Sequence, residues 1–179
     1  MKILLAALMC LVLTTAECFA LSGGPPYPGA GNFVGQYAGV LTRMGSNSLG
    51  VFTLGVPNTG TATGRFIMFT NGVLFRGAIE GVADPNTRRL NALVNASQTR
   101  MVQTVTSGGT VVITEVVVSI LDGQIIANFT RRGNSSSVSS TLLRGTGEFS
   151  QHAPTVDTGL PMPPFMVNGF KQSNAPPTT

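Results

Sequence analysis

Few side chains in this chain are equipped for chemistry. The single histidine is His152, and the two cysteines, Cys10 and Cys18, both fall within the first twenty residues. One histidine and no downstream thiol leave too few ligands for a transition-metal site, so no metal and no other cofactor is expected. A Ser-His-acid relay would have to be built on His152, which lies outside the strand pattern described below. Glu80 and Glu148 form a conceivable pair of carboxylates. Each follows an arginine by four residues (Arg76 and Arg144), and a period of two puts glutamate and arginine on one outward face. Such a row reads as a surface charge ladder rather than acid–base machinery. The glycines make no phosphate loop, because no helix follows any of them. No catalytic residue is expected, and the chain reads as a non-enzyme.

Charge points the same way. The chain carries a net charge of +4, with 11 basic and 7 acidic residues. The arginines are scattered and not interleaved with aromatics, so no nucleic-acid surface is indicated.

The elements that hold these residues are strands. Leu49–Ala83 reads as three antiparallel strands. Asn71-Gly72 is a two-residue hairpin signal, since both positions accept positive φ. Pro57-Asn58-Thr59-Gly60 is a second turn. Alternation sorts the residues by face. Phe52, Phe66, Met68, Phe75 and Ile79 point one way with several glycines; Arg65, Arg76 and Glu80 point the other. This is a sheet with one buried side, and the inward glycines let it coil. A strand over Phe33–Met44 precedes it, with Gly35, Tyr37, Gly39 and Leu41 on one face. After it come Arg88–Val105 and Thr110–Leu121, the latter dense in β-branched residues. Asp122-Gly123 is expected to turn the chain into a further strand over Gln124–Arg132, and Val138–Ser150 closes the series. The expected fold is all-β: one antiparallel up-and-down meander of about eight strands, closed or nearly closed into a barrel.

Residues 1–20 have the make-up of a secretory signal: Lys2, an apolar Ile3–Val12, and small residues before a cleavage point after Ala20. The domains are then a signal at 1–20, a Gly/Pro-rich leader at 21–31, the β-domain at 32–151 and a Pro-rich extended tail at 152–179. The tail is expected to be dispensable for folding. The implied location is secreted or periplasmic, and the mature chain lacks cysteine.

The segments GQYAGVL, SLGVFTLGV, TGTATGRFIMF and LFRGAIEGV, within residues 33–96, resemble an uncharacterised glycine-punctuated β-meander domain of secreted bacterial proteins. The resemblance implies a β-meander and no particular activity.

Two functional classes fit these observations. The first is a structural or interaction domain with a filled interior, working at its surface. Outward Ile67, Phe69 and Leu74, or Phe165–Val167 of the tail, would then meet a protein partner or a second copy. The alternative is a barrel that is lipocalin-like in architecture and holds a small apolar ligand among Tyr37, Phe52, Phe66, Met68 and Phe75. An outer-membrane barrel ranks third, because apolar residues point inward and charges outward, the reverse of a lipid-facing barrel. Mass spectrometry of the exported protein should find Leu21 as its first residue. An N-terminus at Met1, or lipid on Cys18, would overturn the signal assignment.

Overall fold

The computed structural model describes residues 33–175 except 44, 58–60, 85–86, 132–140 and 157–158. The signal segment, the leader and the Asn58–Gly60 part of the second turn lie outside the described residues. Nine strands are present: β1 (Gly35–Thr42), β2 (Leu49–Val56), β3 (Thr61–Thr70), β4 (Val73–Asp84), β5 (Arg89–Val105), β6 (Val111–Arg131), β7 (Thr141–His152), β8 (Leu160–Pro161) and β9 (Phe165–Ser173). All pairings are antiparallel.

The local signals explain the first half. Asn71 and Gly72 both take positive φ (52° and 79°), and β3 pairs with β4 in register from Thr70↔Val73 to Thr61↔Val82. Neighbours then follow in order from β1 to β7. The ring closes because β9 lies between β7 and β1, pairing Gly145↔Val167 on one side and Leu41↔Val167 on the other. Eight strands, β1–β7 and β9, therefore form a hydrogen-bonded ring, and β8 is a short addition at the edge of β7.

The eighth strand of the ring differs from the expectation. Asp122-Gly123 makes no turn: β6 runs straight through it, paired with β5 at Asn95↔Asp122 and Val94↔Gly123 and with β7 at Gly123↔Phe149. The reason is packing. A Cβ on Gly123 would collide with the Phe149 ring, so this glycine makes room for an aromatic rather than bending the chain. The β5–β6 turn lies at Thr106–Thr110, between the two runs expected as strands over Arg88–Val105 and Thr110–Leu121, and is closed by Thr106 N–H to Thr110 O at 2.9 Å.

The tail supplies what the lost hairpin would have. Beyond the prolines, Phe165, Val167, Gly169 and Lys171 alternate inward, and Phe165 and Val167 are fully buried. Within the expected tail, Phe165–Ser173 is thus a strand of the ring rather than an appended segment, and Phe165 and Val167 are core rather than a surface for partners. Between β7 and β9 the chain passes over one rim as a strap; Met162 on it packs against the core and donates its N–H to Phe149 O at 2.8 Å. At the opposite rim Phe33 packs on Phe129 with ring centroids 5.3 Å apart, under the Arg88 guanidinium.

Removing residues 164–179 deletes the strand that joins β1 to β7 and empties two core positions. A buried Phe→Ala change alone costs about 3–5 kcal/mol. The truncated chain should lose its cooperative thermal transition or melt tens of degrees lower by circular dichroism. A midpoint within a few degrees of the full chain would show that β9 is not needed for closure.

Candidate functional site

The interior comes first, because sequence reasoning placed its candidate ligand contacts there. Tyr37, Phe52, Phe66, Met68 and Phe75 all point inward and are at most 3% exposed. They do not converge on one point. Strand register puts Tyr37 in a row with Leu54, Gly64, Ile79, Val94, Gly123 and Phe149. Phe52 and Phe66 share the next row with Gly39 and Gly77, and Met68 and Phe75 share a third with Leu41 and Gly50. Each row mixes large side chains with at least one glycine. The Phe52 ring lies over Gly39 and Gly169, as Phe149 lies over Gly123. Phe149 stacks on Phe66 at 5.7 Å and meets Phe165 edge-on at 5.4 Å, while Tyr37 tilts against Phe129 at 5.3 Å. Rings from neighbouring strands thus lie over Gly39, Gly123 and Gly169, whereas at Gly64, Gly77 and Gly145 the adjacent strand's backbone lies closest.

Tyr37 is the one polar tip among the five. Its hydroxyl donates to the Phe33 carbonyl at 2.8 Å, a bond within its own strand entry. Burial pushes its phenol well above the usual range. Lys171, which sequence reasoning passed over, is also inward and buried, at the same end of the barrel and opposite Tyr37 in register. Burial pushes its ammonium down, and the nearby Arg131 cation adds to this.

The carboxylate pair separates. Glu80, Leu93, Gln124 and Glu148 form one outward row across β4, β5, β6 and β7. Three inter-strand steps hold the two glutamates about 14 Å apart. Paired catalytic carboxylates stand within about 5–10 Å. Among the described residues no group of three or more His, Cys, Asp or Glu side chains is placed to hold a metal ion.

The outward Ile67, Phe69 and Leu74 do form one patch, but neighbours flank it. Val40, Val51 and Ile67 are paired in a row, as are Leu49, Phe69 and Leu74. Only Leu74 reaches 36% exposure.

The opposite rim carries features with no clear sequence signal. Pairing of β5 with β4 stops at Ser97, and pairing of β6 with β7 stops at Ile120. Beyond these points β5 and β6 pair, among the described residues, only with each other, as a two-stranded arm to Val105↔Val111. Eight residues of β5 extend it by about 27 Å. A bulge opposite Gln98/Thr99 marks its base. Met101, Val105 and Ile113 are each more than 60% exposed, and Val111, Val112, Val116 and Val117 are exposed as well.

At the foot of the arm sits His152. Its Nε2 is 2.8 Å from Asp122 Oδ2 and its Nδ1 is 2.9 Å from the Ala153 carbonyl. Both partners are acceptors, so both ring nitrogens can donate only when the ring is protonated, and the two contacts favour the cation. Asp122 Oδ1 accepts from Asn95 at 3.0 Å. Ser119 donates to the backbone carbonyl of His152 at 3.3 Å and accepts from Gln151 at 3.2 Å. Serine, histidine and aspartate are neighbours here but not a nucleophile relay, because neither imidazole nitrogen faces the serine hydroxyl. They clasp β5, β6 and β7 together where the arm leaves the ring. Beside the clasp an open groove of about 590 Å³ runs between β6 and the strap, lined by Arg43, Asn71, Val118, Ser119, Gln151 and Leu160 among others.

No protein family, curated protein or solved structure matches the chain.

The clasp predicts a pH dependence. The Asp122 side-chain hydrogen bond, then the Ala153 carbonyl, raise the affinity of His152 for its proton. A raised folded value means that the clasp's stabilisation is fully present below the unfolded value of about 6.5 and is lost as pH rises through the folded one. Between pH 5 and 9 the melting midpoint of the wild-type chain should fall relative to that of Asp122→Asn. Parallel curves for the two proteins would exclude this contribution.

Proposed function

We propose that this chain is an exported, non-enzymatic interaction domain that works from the arm-bearing rim of a filled barrel. The observation that carries the reading is the β5–β6 arm, an apolar ribbon with both backbone edges open. An isolated two-stranded ribbon is marginal in water, and unprotected apolar edges invite strand pairing. Such a surface, held out from a closed barrel, suits association better than solvation. Export rests on the composition of residues 1–20.

The interior supports the same reading. Rings lie over Gly39, Gly123 and Gly169, and the only polar tip among the five candidate contacts is bonded to its own chain. Inward apolar residues, with Arg65, Arg76, Glu80, Arg144 and Glu148 exposed outside, weigh against a lipid-facing wall.

Native mass spectrometry of protein purified from its own host tests the proposal. The expected result is a spectrum with no stoichiometric small molecule. A small molecule released on denaturation would favour the ligand-binding alternative.

A further inference from the structure

The arm raises the question of what completes it. Its two edges are unequal. The β5 side carries Gln98, Arg100, Gln103 and Thr104. The β6 side, Val111–Ser119, carries one charge, Glu115, and no lysine or proline that would block pairing. The β6 edge is therefore the one open to a further strand. Among the described residues none pairs with it beyond Ile120. The lane beside it is the continuation of β7, which leaves the sheet at His152, and the groove lies at the foot of that lane.

We infer that a second copy of this chain fills the lane: two β6 edges pair antiparallel about a two-fold axis near Thr114, and each arm tip seats in the partner's groove. The inference rests on the rim reading proposed above. Three observations select this occupant. The arm is nearly neutral, with Arg100 and Glu115 as its only charges, so a strongly charged partner gains nothing from it and an identical arm meets no net repulsion. Antiparallel pairing of an edge with its own copy is isologous and closes at two, which leaves only the more polar β5 edges outside.

Length also fits. Pairing centred on Thr114 brings Val111 of one copy opposite Val117 of the other. The turn Thr106–Gly109 then arrives at Ser119, where the groove begins. That turn is built of two hydroxyl residues and two glycines, and the groove offers it the side chains of Asn71, Gln151 and Arg43. The lanes agree too: the partner's β6 continues the line of β7 and its β5 that of β9, so the turn joining them meets the strap joining β7 to β9. A specific interface buries about 1,200 Å² or more in total. Edge pairing alone is narrow, and the two tip contacts widen it.

Sedimentation velocity and oxidative cross-linking of the mature chain test this. The mature chain has no cysteine of its own, since Cys10 and Cys18 lie in the signal, so introduced thiols report one contact each. Thr114→Cys, at the axis, should cross-link to a dimer, whereas Ser107→Cys, at the tip, should not. The unsubstituted chain should sediment as a dimer at micromolar concentration. The double variant Val112→Lys/Val116→Lys should sediment as a monomer with the barrel's melting midpoint unchanged, and Leu93→Lys, on the barrel wall, should remain dimeric. A monomer at every concentration, open-ended oligomers, a dimer untouched by the double lysine change, or cross-linking through Ser107→Cys would each overturn the inference. A monomer free of small molecules removes the second copy but not the rim reading; a bound small molecule undermines the rim reading itself.

Discussion

Closure of the ring depends on β9, a strand that the chain reaches only after leaving the sheet. From β1 to β7 each strand pairs with its predecessor or successor through local connections. That leaves β1 and β7 with open inner edges and a core exposed along the gap. Phe165 and Val167 fill the gap from inside while their backbone satisfies both edges. Antiparallel neighbours such as β7 and β9 need only a short turn between them; the strap is longer, and its Met162 packs against the core. One late segment thus completes hydrogen bonding, packing and end-capping together.

Inside the ring, the limiting resource is volume. An eight-stranded barrel has an interior just wide enough for side chains. Here two of the large rings are accommodated by a glycine directly opposite: Gly39 faces Phe52 and Gly123 faces Phe149. This part of the fold was legible from the sequence, since a period of two identified Phe52, Phe66, Met68 and Phe75 as inward. The Asn71-Gly72 turn was equally legible, because the two flanking strands pair with each other. Asp122-Gly123 carries the same local signal and does two different jobs. Gly123 yields space to Phe149, and Asp122 anchors His152; both partners are distant in sequence, so the dipeptide alone pointed to a turn. The tail was misjudged for a related reason. Its prolines dominate the composition, yet none falls between Pro164 and Pro176, and the alternation from Phe165 to Ser173 is a strand pattern interrupted only by Lys171 at an inward position.

The rim was the least legible region. A run such as Val111–Leu121 has the composition of a buried strand, and only the lengths of β4 and β7 reveal that most of it has a neighbour on one side only, β5. The clasp marks the border. Asp122 is gripped from β5 by Asn95 and from the end of β7 by His152, so the last fully paired stretch of β6 is fixed on both sides. Beyond it Val118 is bulged and the burial pattern fades. The clasp and bulge together separate a stretch whose twist is set by ring closure from one whose twist is free.

Burial of the two interior titratable groups bears on what this barrel can do. Tyr37 is pushed up and Lys171 down, and both shifts move the group towards its uncharged form. Neither stands alone: Tyr37 is bonded to Phe33, and Lys171 lies beside the Gly35 entry of β1, at the rim away from the arm. The two rims therefore have different characters. One is plugged by Phe33 and holds its polar groups in fixed local contacts. The other opens onto a groove, ends in an arm whose outer edges pair with none of the described residues, and is clasped by His152 and Asp122. A surface that must associate needs unsatisfied backbone and apolar area in one place, on a support that does not unfold when it pairs. Only the arm-bearing rim combines these, and the tightly packed interior below it supplies the rigid support.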